Sequence, residues 1–134
     1  MLRVYVGWFA LYFAFLFSQS YRTFNFSHKQ ATEGKTTSLA KIKYSTDGGR
    51  YTLTGNRTVG NMLEQSVPFL ASLALHAVLV DAAKAAQLGW LWLLSRAIYP
   101  FVFAKGPPLL FVSTLPGYGF IGALLWPVGA LAFA

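Results

Sequence analysis

Four apolar runs, each close to the roughly 20 residues that cross a bilayer, leave this chain few folds other than a bundle of membrane helices. They predict helices over about 4–21, 61–80, 85–104 and 109–133, with a polar loop at 22–60. The chain has 134 residues, of which 55% are hydrophobic and 11% charged. A soluble domain of that length has too much surface for its volume to bury such a share of apolar side chains. The expected fold is therefore all-α, one integral membrane domain over 1–134 built as a four-helix bundle. It should be oligomeric, because the second and third spans carry more polar groups than one small bundle satisfies internally.

The first run, at 4–17, continues through Tyr21 and follows Arg3, as a signal peptide would. No small-x-small cleavage site comes after it, and seven aromatic residues within it suit a helix that stays and packs. It reads as a retained anchor. In the polar loop, the alternation at 41–44 and 50–53 on either side of Asp47, Gly48 and Gly49 suggests a short surface hairpin. A turn at 81–84 separates the second and third runs, and Lys105, Gly106, Pro107 and Pro108 end the third sharply. Pro116 and Pro127 should kink the fourth or delay its start.

The net charge is +7, yet the basic residues are not spread as a nucleic-acid footprint. Seven of the eleven (Arg22, Lys29, Lys35, Lys41, Lys43, Arg50 and Arg57) lie between the first and second runs. With Lys105 they make eight on one membrane face, against Arg3 and Lys84 on the other. The positive-inside rule then puts loop 22–60 on the cytosolic, stromal or matrix side and both termini on the lumenal side. The sequons at Asn25 and Asn56 would fall on the wrong side for glycosylation. With no cysteine there is no disulfide framework, thiolate metal site or cysteine nucleophile, and no other metal cluster is expected.

At the mouth of the second run stand Arg57, Asn61 and Glu64, spaced i, i+4 and i+7 on one helix face. A guanidinium, an amide and a carboxylate are costly to hold at a bilayer edge. The stripe is either a polar lock between helices or half of a site for a small charged ligand. Arg96 and Tyr99, at i and i+3 on the third run, share a face that could meet it. On the first reading Arg96 forms a salt bridge to Glu64 in the same protomer. His76 and Asp81 lie about 18 and 26 Å along the helix from Glu64 at 1.5 Å per residue, too far to share one site. They read as an interface histidine and a helix-end acid. Gly117, Gly119, Gly122 and Gly129 read as helix-packing positions, and the four tryptophans as interfacial anchors or core.

Arg57, Asn61 and Glu64 followed by Pro68, Phe69 and Leu70, together with Arg96 and Tyr99 behind Gly89, resemble the second- and third-helix signatures of the MAPEG family, the membrane-associated proteins in eicosanoid and glutathione metabolism. The similarity runs from Arg57 to about Phe103. It implies a trimer of four-helix protomers in an endoplasmic reticulum or organellar membrane. It also implies glutathione held between subunits by Arg57, Asn61, Glu64, Arg96 and Tyr99. Glutathione offers carboxylates to a guanidinium and an amino group to Glu64. The resemblance further leads one to expect a second tyrosine, where this chain has Phe103, and an arginine to stabilise the thiolate, where it has Leu110 or a near neighbour. Lys105 and Arg22 are the remaining catalytic candidates. Two functions follow: a glutathione transferase or peroxidase acting on a lipophilic electrophile, or a catalytically silent structural subunit of a larger membrane complex.

Overall fold

The computed structural model describes residues 1–35, 38–44, 49–106 and 108–133. Six helices account for nearly all of them: α1 (Leu2–Thr32), α2 (Leu39–Tyr44), α3 (Gly49–Leu79), α4 (Ala82–Ala97), α5 (Tyr99–Lys105) and α6 (Phe111–Ala132). No strand occurs among the described residues. Three of the described helices, α1, α3 and α6, are long and apolar enough to cross a membrane, and α4 and α5 are shorter helices in succession over 82–105. α3 is the central element, packed against α1, α4, α5 and α6.

The polar loop is the main correction. α1 runs eleven residues past the expected end at 21, and α3 begins twelve before the expected start at 61. Most of 22–60 is therefore helix. At 31 residues each, these helices extend about 46 Å at 1.5 Å per residue, well beyond a hydrocarbon core of roughly 30 Å. Hydropathy marks where a helix meets lipid and is blind to its polar continuation. The continuation is held by its own contacts. Gln19 Nε2 donates to Asn56 Oδ1 at 3.0 Å, and Arg22 Nη1 to the Tyr51 carbonyl at 3.1 Å. Thr23, Thr54 and Thr58 return their hydroxyls to carbonyls one turn back. The expected hairpin is replaced by helix at both flanks: 41–44 lies in α2, and 50–53 forms the first turn of α3. Four alternating residues cannot separate a period of 2 from one of 3.6. Residues 45–48 of that turn lie outside the described residues.

The third span breaks at Ile98 instead of running unbroken over 85–104. Pro100 has no N–H for the carbonyl one turn back, and its ring excludes that carbonyl, so it restarts the helix as an N-terminal residue of α5. Gly106, at φ 90°, ends α5. α6 carries Pro116 and Pro127 within one continuous helix from Phe111.

The bundle core forms where α3 meets α4 and α6. Phe69 stacks on Trp92 with centroids 3.8 Å apart and planes nearly parallel. His76 Nδ1 lies 2.9 Å from the Leu124 carbonyl, so this nitrogen carries the donated proton and pins α3 to α6. Trp8 Nε1 donates to Ser66 Oγ at 2.9 Å and fastens α1 to α3. Many large apolar side chains, among them Phe9, Phe13 and Phe17 of α1 and Leu115 and Trp126 of α6, face outward. That distribution suits a lipid solvent.

Gly89 marks a close approach of α1 and α4. A Cβ there would stand 2.7 Å from Val4 Cγ1 and 3.0 Å from Leu73 Cδ1. Val4 is β-branched and fully buried, so it has little room to turn aside. Gly89→Ala should destabilise the bundle by about 1–3 kcal/mol, as overpacking does, read by denaturant titration in micelles. At the opposite α3–α4 junction, Asp81 caps α4 by accepting from Ala83 N at 2.7 Å and Lys84 N at 3.0 Å. The Lys84 and then the Ala83 amide hold its carboxyl below the ordinary 3.8. Its contribution is thus complete above that value and lost as pH falls through the lower folded value. Acidification should fray the start of α4, seen as faster amide exchange at 82–85, and Asp81→Asn should remove that pH dependence.

Candidate functional site

α3 presents Arg57, Asn61 and Glu64 in a row, as helical spacing requires, but the three do not share one environment. Arg57 and Glu64 are exposed on the outside of the protomer, and Asn61 is half-buried between them and the interior. Arg96 enters from α4 and is buried, with 1% of its surface exposed. Its Nη1 donates to Asn61 Oδ1 at 2.6 Å. Its Nη2 donates to the Ser113 carbonyl and, at 3.3 Å, to Ser113 Oγ, while Nε reaches Ser95 Oγ at 3.3 Å. Ser113 Oγ in turn donates to the Ser95 carbonyl at 2.6 Å. The guanidinium is therefore held by α3, α4 and α6 together.

All of these partners are neutral. The expected Arg96–Glu64 salt bridge is not formed: the one ion pair among the described residues is Lys35 with Glu33, at 3.1 Å. The reason is angular. Glu64 and Asn61 differ by three positions on α3, and only Asn61 turns inward far enough to meet α4. Tyr99, at the start of α5, is buried next to Arg96, whose Cζ lies 5.9 Å from its ring centroid. The Tyr99 ring stacks on Phe103 at 5.8 Å. Of the five residues expected to act together, Asn61, Arg96 and Tyr99 therefore meet in the interior, while Arg57 and Glu64 stand on the outer face of α3.

Several participants escaped the sequence reading. Gly117, expected as a helix-packing glycine, makes room for a side chain: a Cβ there would lie 2.9 Å from Arg96 Cζ and 3.1 Å from Gln65 Oε1. Ser113, one turn earlier on α6, and Ser95 supply the oxygens that hold the guanidinium. Gln65 is buried beside it, with neither amide atom hydrogen-bonded among the described residues. A signal for Gln65 existed, since it begins the interior stripe continued by Phe69, Ser72 and His76 at i+4, i+7 and i+11. Nothing in α6 alone marks Ser113 as an arginine's partner.

Arg22 and Lys105 are elsewhere. Both line a cavity of about 500 Å³ between α1, α3 and the α4–α5 region, and none of the five residues above borders it. Within one protomer, neither cation is brought beside Tyr99.

A double-mutant cycle tests this wiring. Asn61→Ala should cost about 1.5–3 kcal/mol, the scale of a hydrogen bond to a charged group, and Asn61 and Arg96 should couple strongly. Glu64→Gln should stay within about 0.5 kcal/mol, as surface changes do, and show no coupling to Arg96→Leu. The reverse pattern in denaturant titrations would mean that the carboxylate, not the amide, holds the guanidinium.

Comparison with known proteins adds one finding to this geometry. The model of the MAPEG family matches residues 5–130, nearly the whole chain, including α1 and the polar helix extensions that the signature residues do not cover. No curated protein and no solved structure matches. The match takes in every helix described above, and the chain belongs to the MAPEG family.

Proposed function

We propose that this membrane protein binds glutathione, using Arg57, Asn61, Glu64, Arg96 and Tyr99 as the half of the site that one protomer contributes, with a second copy completing it. The observation that carries the proposal is Arg96, a buried guanidinium held by three helices through neutral oxygens alone. Neutral partners orient that charge without cancelling it, so its positive potential extends to the adjoining α3 stripe and favours an anion there. Exposed Arg57 suits a ligand carboxylate, and exposed Glu64 suits the ligand's amino group. Their placement on the outer face of α3, leading inward, fits a ligand lying between two protomers. Tyr99 offers a hydroxyl near the point where the stripe turns inward.

Chemistry on the bound thiol is a separate question. A transferase or peroxidase must lose the thiol proton before sulfur attacks a lipophilic electrophile, and a nearby cation or hydroxyl favours that loss. Phe103 stacks on Tyr99 with no hydroxyl to give. Arg22 and Lys105 face a different cavity. These observations favour a second reading, a glutathione-binding or ligand-free subunit without catalysis that serves within a larger membrane assembly.

Calorimetry of the full chain in detergent with reduced glutathione tests the first proposal. Binding at or below millimolar ligand, lost in Arg96→Leu and weakened about tenfold or more in Arg57→Gln, is expected from the loss of a charge-assisted pair. No heat at millimolar glutathione would end it. With binding established, thiolate ultraviolet absorbance at neutral pH separates the two readings. Its appearance supports an enzyme, and its absence supports the silent subunit.

A further inference from the structure

The cavity that holds Arg22 and Lys105 has a construction of its own. Phe15 of α1 and Pro100 and Phe101 beside the α5 kink make its apolar wall. Its volume of about 500 Å³ is in the range of small-ligand sites, roughly 300–1,000 Å³. α1 and α3 touch at its edge, where a Cβ on Gly55 would lie 3.2 Å from both Gln19 Cα and Arg22 Cδ. That contact lays the Arg22 stem along α3. The Arg22 guanidinium then sits 4.8 Å above the Tyr51 ring and donates to the Tyr51 carbonyl. Arg50, from the first turn of α3, rests its guanidinium against Gly106, the residue after Lys105.

Two cations, Arg22 and Lys105, therefore line an apolar trough, and Arg50 stands behind Lys105, against Gly106. No carboxylate lines the cavity, and among the described residues none pairs with Arg22, Arg50 or Lys105. We propose that this cavity binds an anionic phospholipid, its phosphate between Arg22 and Lys105, with Arg50 adding positive charge from behind Gly106, and an acyl chain along Phe15, Pro100 and Phe101. Each half of the ligand is required by one half of the site. A small soluble anion would leave the aromatic wall unused, and a zwitterionic lipid would bring a cation of its own beside those of the site. Guanidinium groups match phosphate oxygens in pairs, and basic pockets between membrane helices recognise acidic headgroups. The side chains also suit the boundary, since Arg and Lys keep aliphatic stems in apolar surroundings with their charge at headgroup level. This site is distinct from the stripe proposed for glutathione and stands whether or not that tripeptide binds.

Native mass spectrometry tests it, on the full chain taken from vesicles of mixed phosphatidylglycerol and phosphatidylcholine. One phosphatidylglycerol should be retained per chain, and thermal stability should be higher in phosphatidylglycerol nanodiscs than in phosphatidylcholine alone. Arg22→Gln combined with Lys105→Gln should lower lipid occupancy by roughly fivefold per cation removed. Ala104→Phe, at an exposed residue lining the cavity, should displace the lipid with all three cations in place. This variant decides the matter if the charge variant does not fold in phosphatidylcholine. Unchanged lipid retention in both variants, or no retention and equal stability in the two lipids for the wild-type chain, would overturn the proposal. Competition by glycerol phosphate as effective as by phosphatidylglycerol would overturn the lipid and leave only an anion site.

Discussion

The bundle is organised around one expensive object, the guanidinium of Arg96 in the interior of a membrane protein. Its desolvation has to be offset, and here the offset comes from dipoles: the Asn61 amide, the Ser113 carbonyl and hydroxyl, and the Ser95 hydroxyl. Each contact requires something of the backbone that supplies it. α6 must approach closely, which Gly117 permits and a Cβ would prevent. α4 must deliver Arg96 and Ser95 near its end, before Pro100 redirects the chain into α5. α3 must turn Asn61, and not Glu64, toward the centre. The helix lining the rest of the core then follows in register, with Phe69 on Trp92 and His76 on the Leu124 carbonyl.

Spans could be read from sequence wherever lipid itself is the signal. α6 was expected over 109–133 and forms over 111–132, because its whole length is apolar. α1 and α3 were recognised only in their apolar portions. Arg22, Lys29 and Arg50 sit on helical backbone as readily as Leu does, so hydropathy could not show that the helices continued past the bilayer. The break at Ile98 was legible in principle from Pro100, which the apolar periodicity of 85–104 concealed. The membership of the polar cluster was also legible, since Arg57, Asn61, Glu64, Arg96 and Tyr99 are rare residue types for their surroundings. Its wiring was not. Choosing between Asn61 and Glu64 as the partner of Arg96 needs the rotation of α3 about its axis, and helical spacing alone leaves that angle open.

Two groups of basic residues have different physical settings. Arg96 is enclosed, satisfied by dipoles and inaccessible to bulk counterions. Arg22 and Lys105 line an open trough, with Arg50 against the neighbouring Gly106, where salt can reach them. A net charge of +7 therefore overstates how uniform the molecule is. Ionic strength should act on the second group and leave the first nearly untouched, because screening fades where solvent is excluded.

This separation bears on how binding and chemistry could be joined. Arg96 is fully occupied in holding three helices, so any movement toward a developing thiolate would break bonds to Asn61 and Ser113 at once. It is a fixed source of positive potential, suited to orienting an anion and poorly suited to following charge as a reaction proceeds. A group that activates sulfur has to be close and unencumbered, and the position stacked on Tyr99 is filled by Phe103. On the proposed reading, the same rigidity that lets a buried arginine persist in lipid would confine it to recognition. In the proposed two-copy site, a reactive cation or hydroxyl would have to reach the outer face of α3, where Arg57 and Glu64 are exposed.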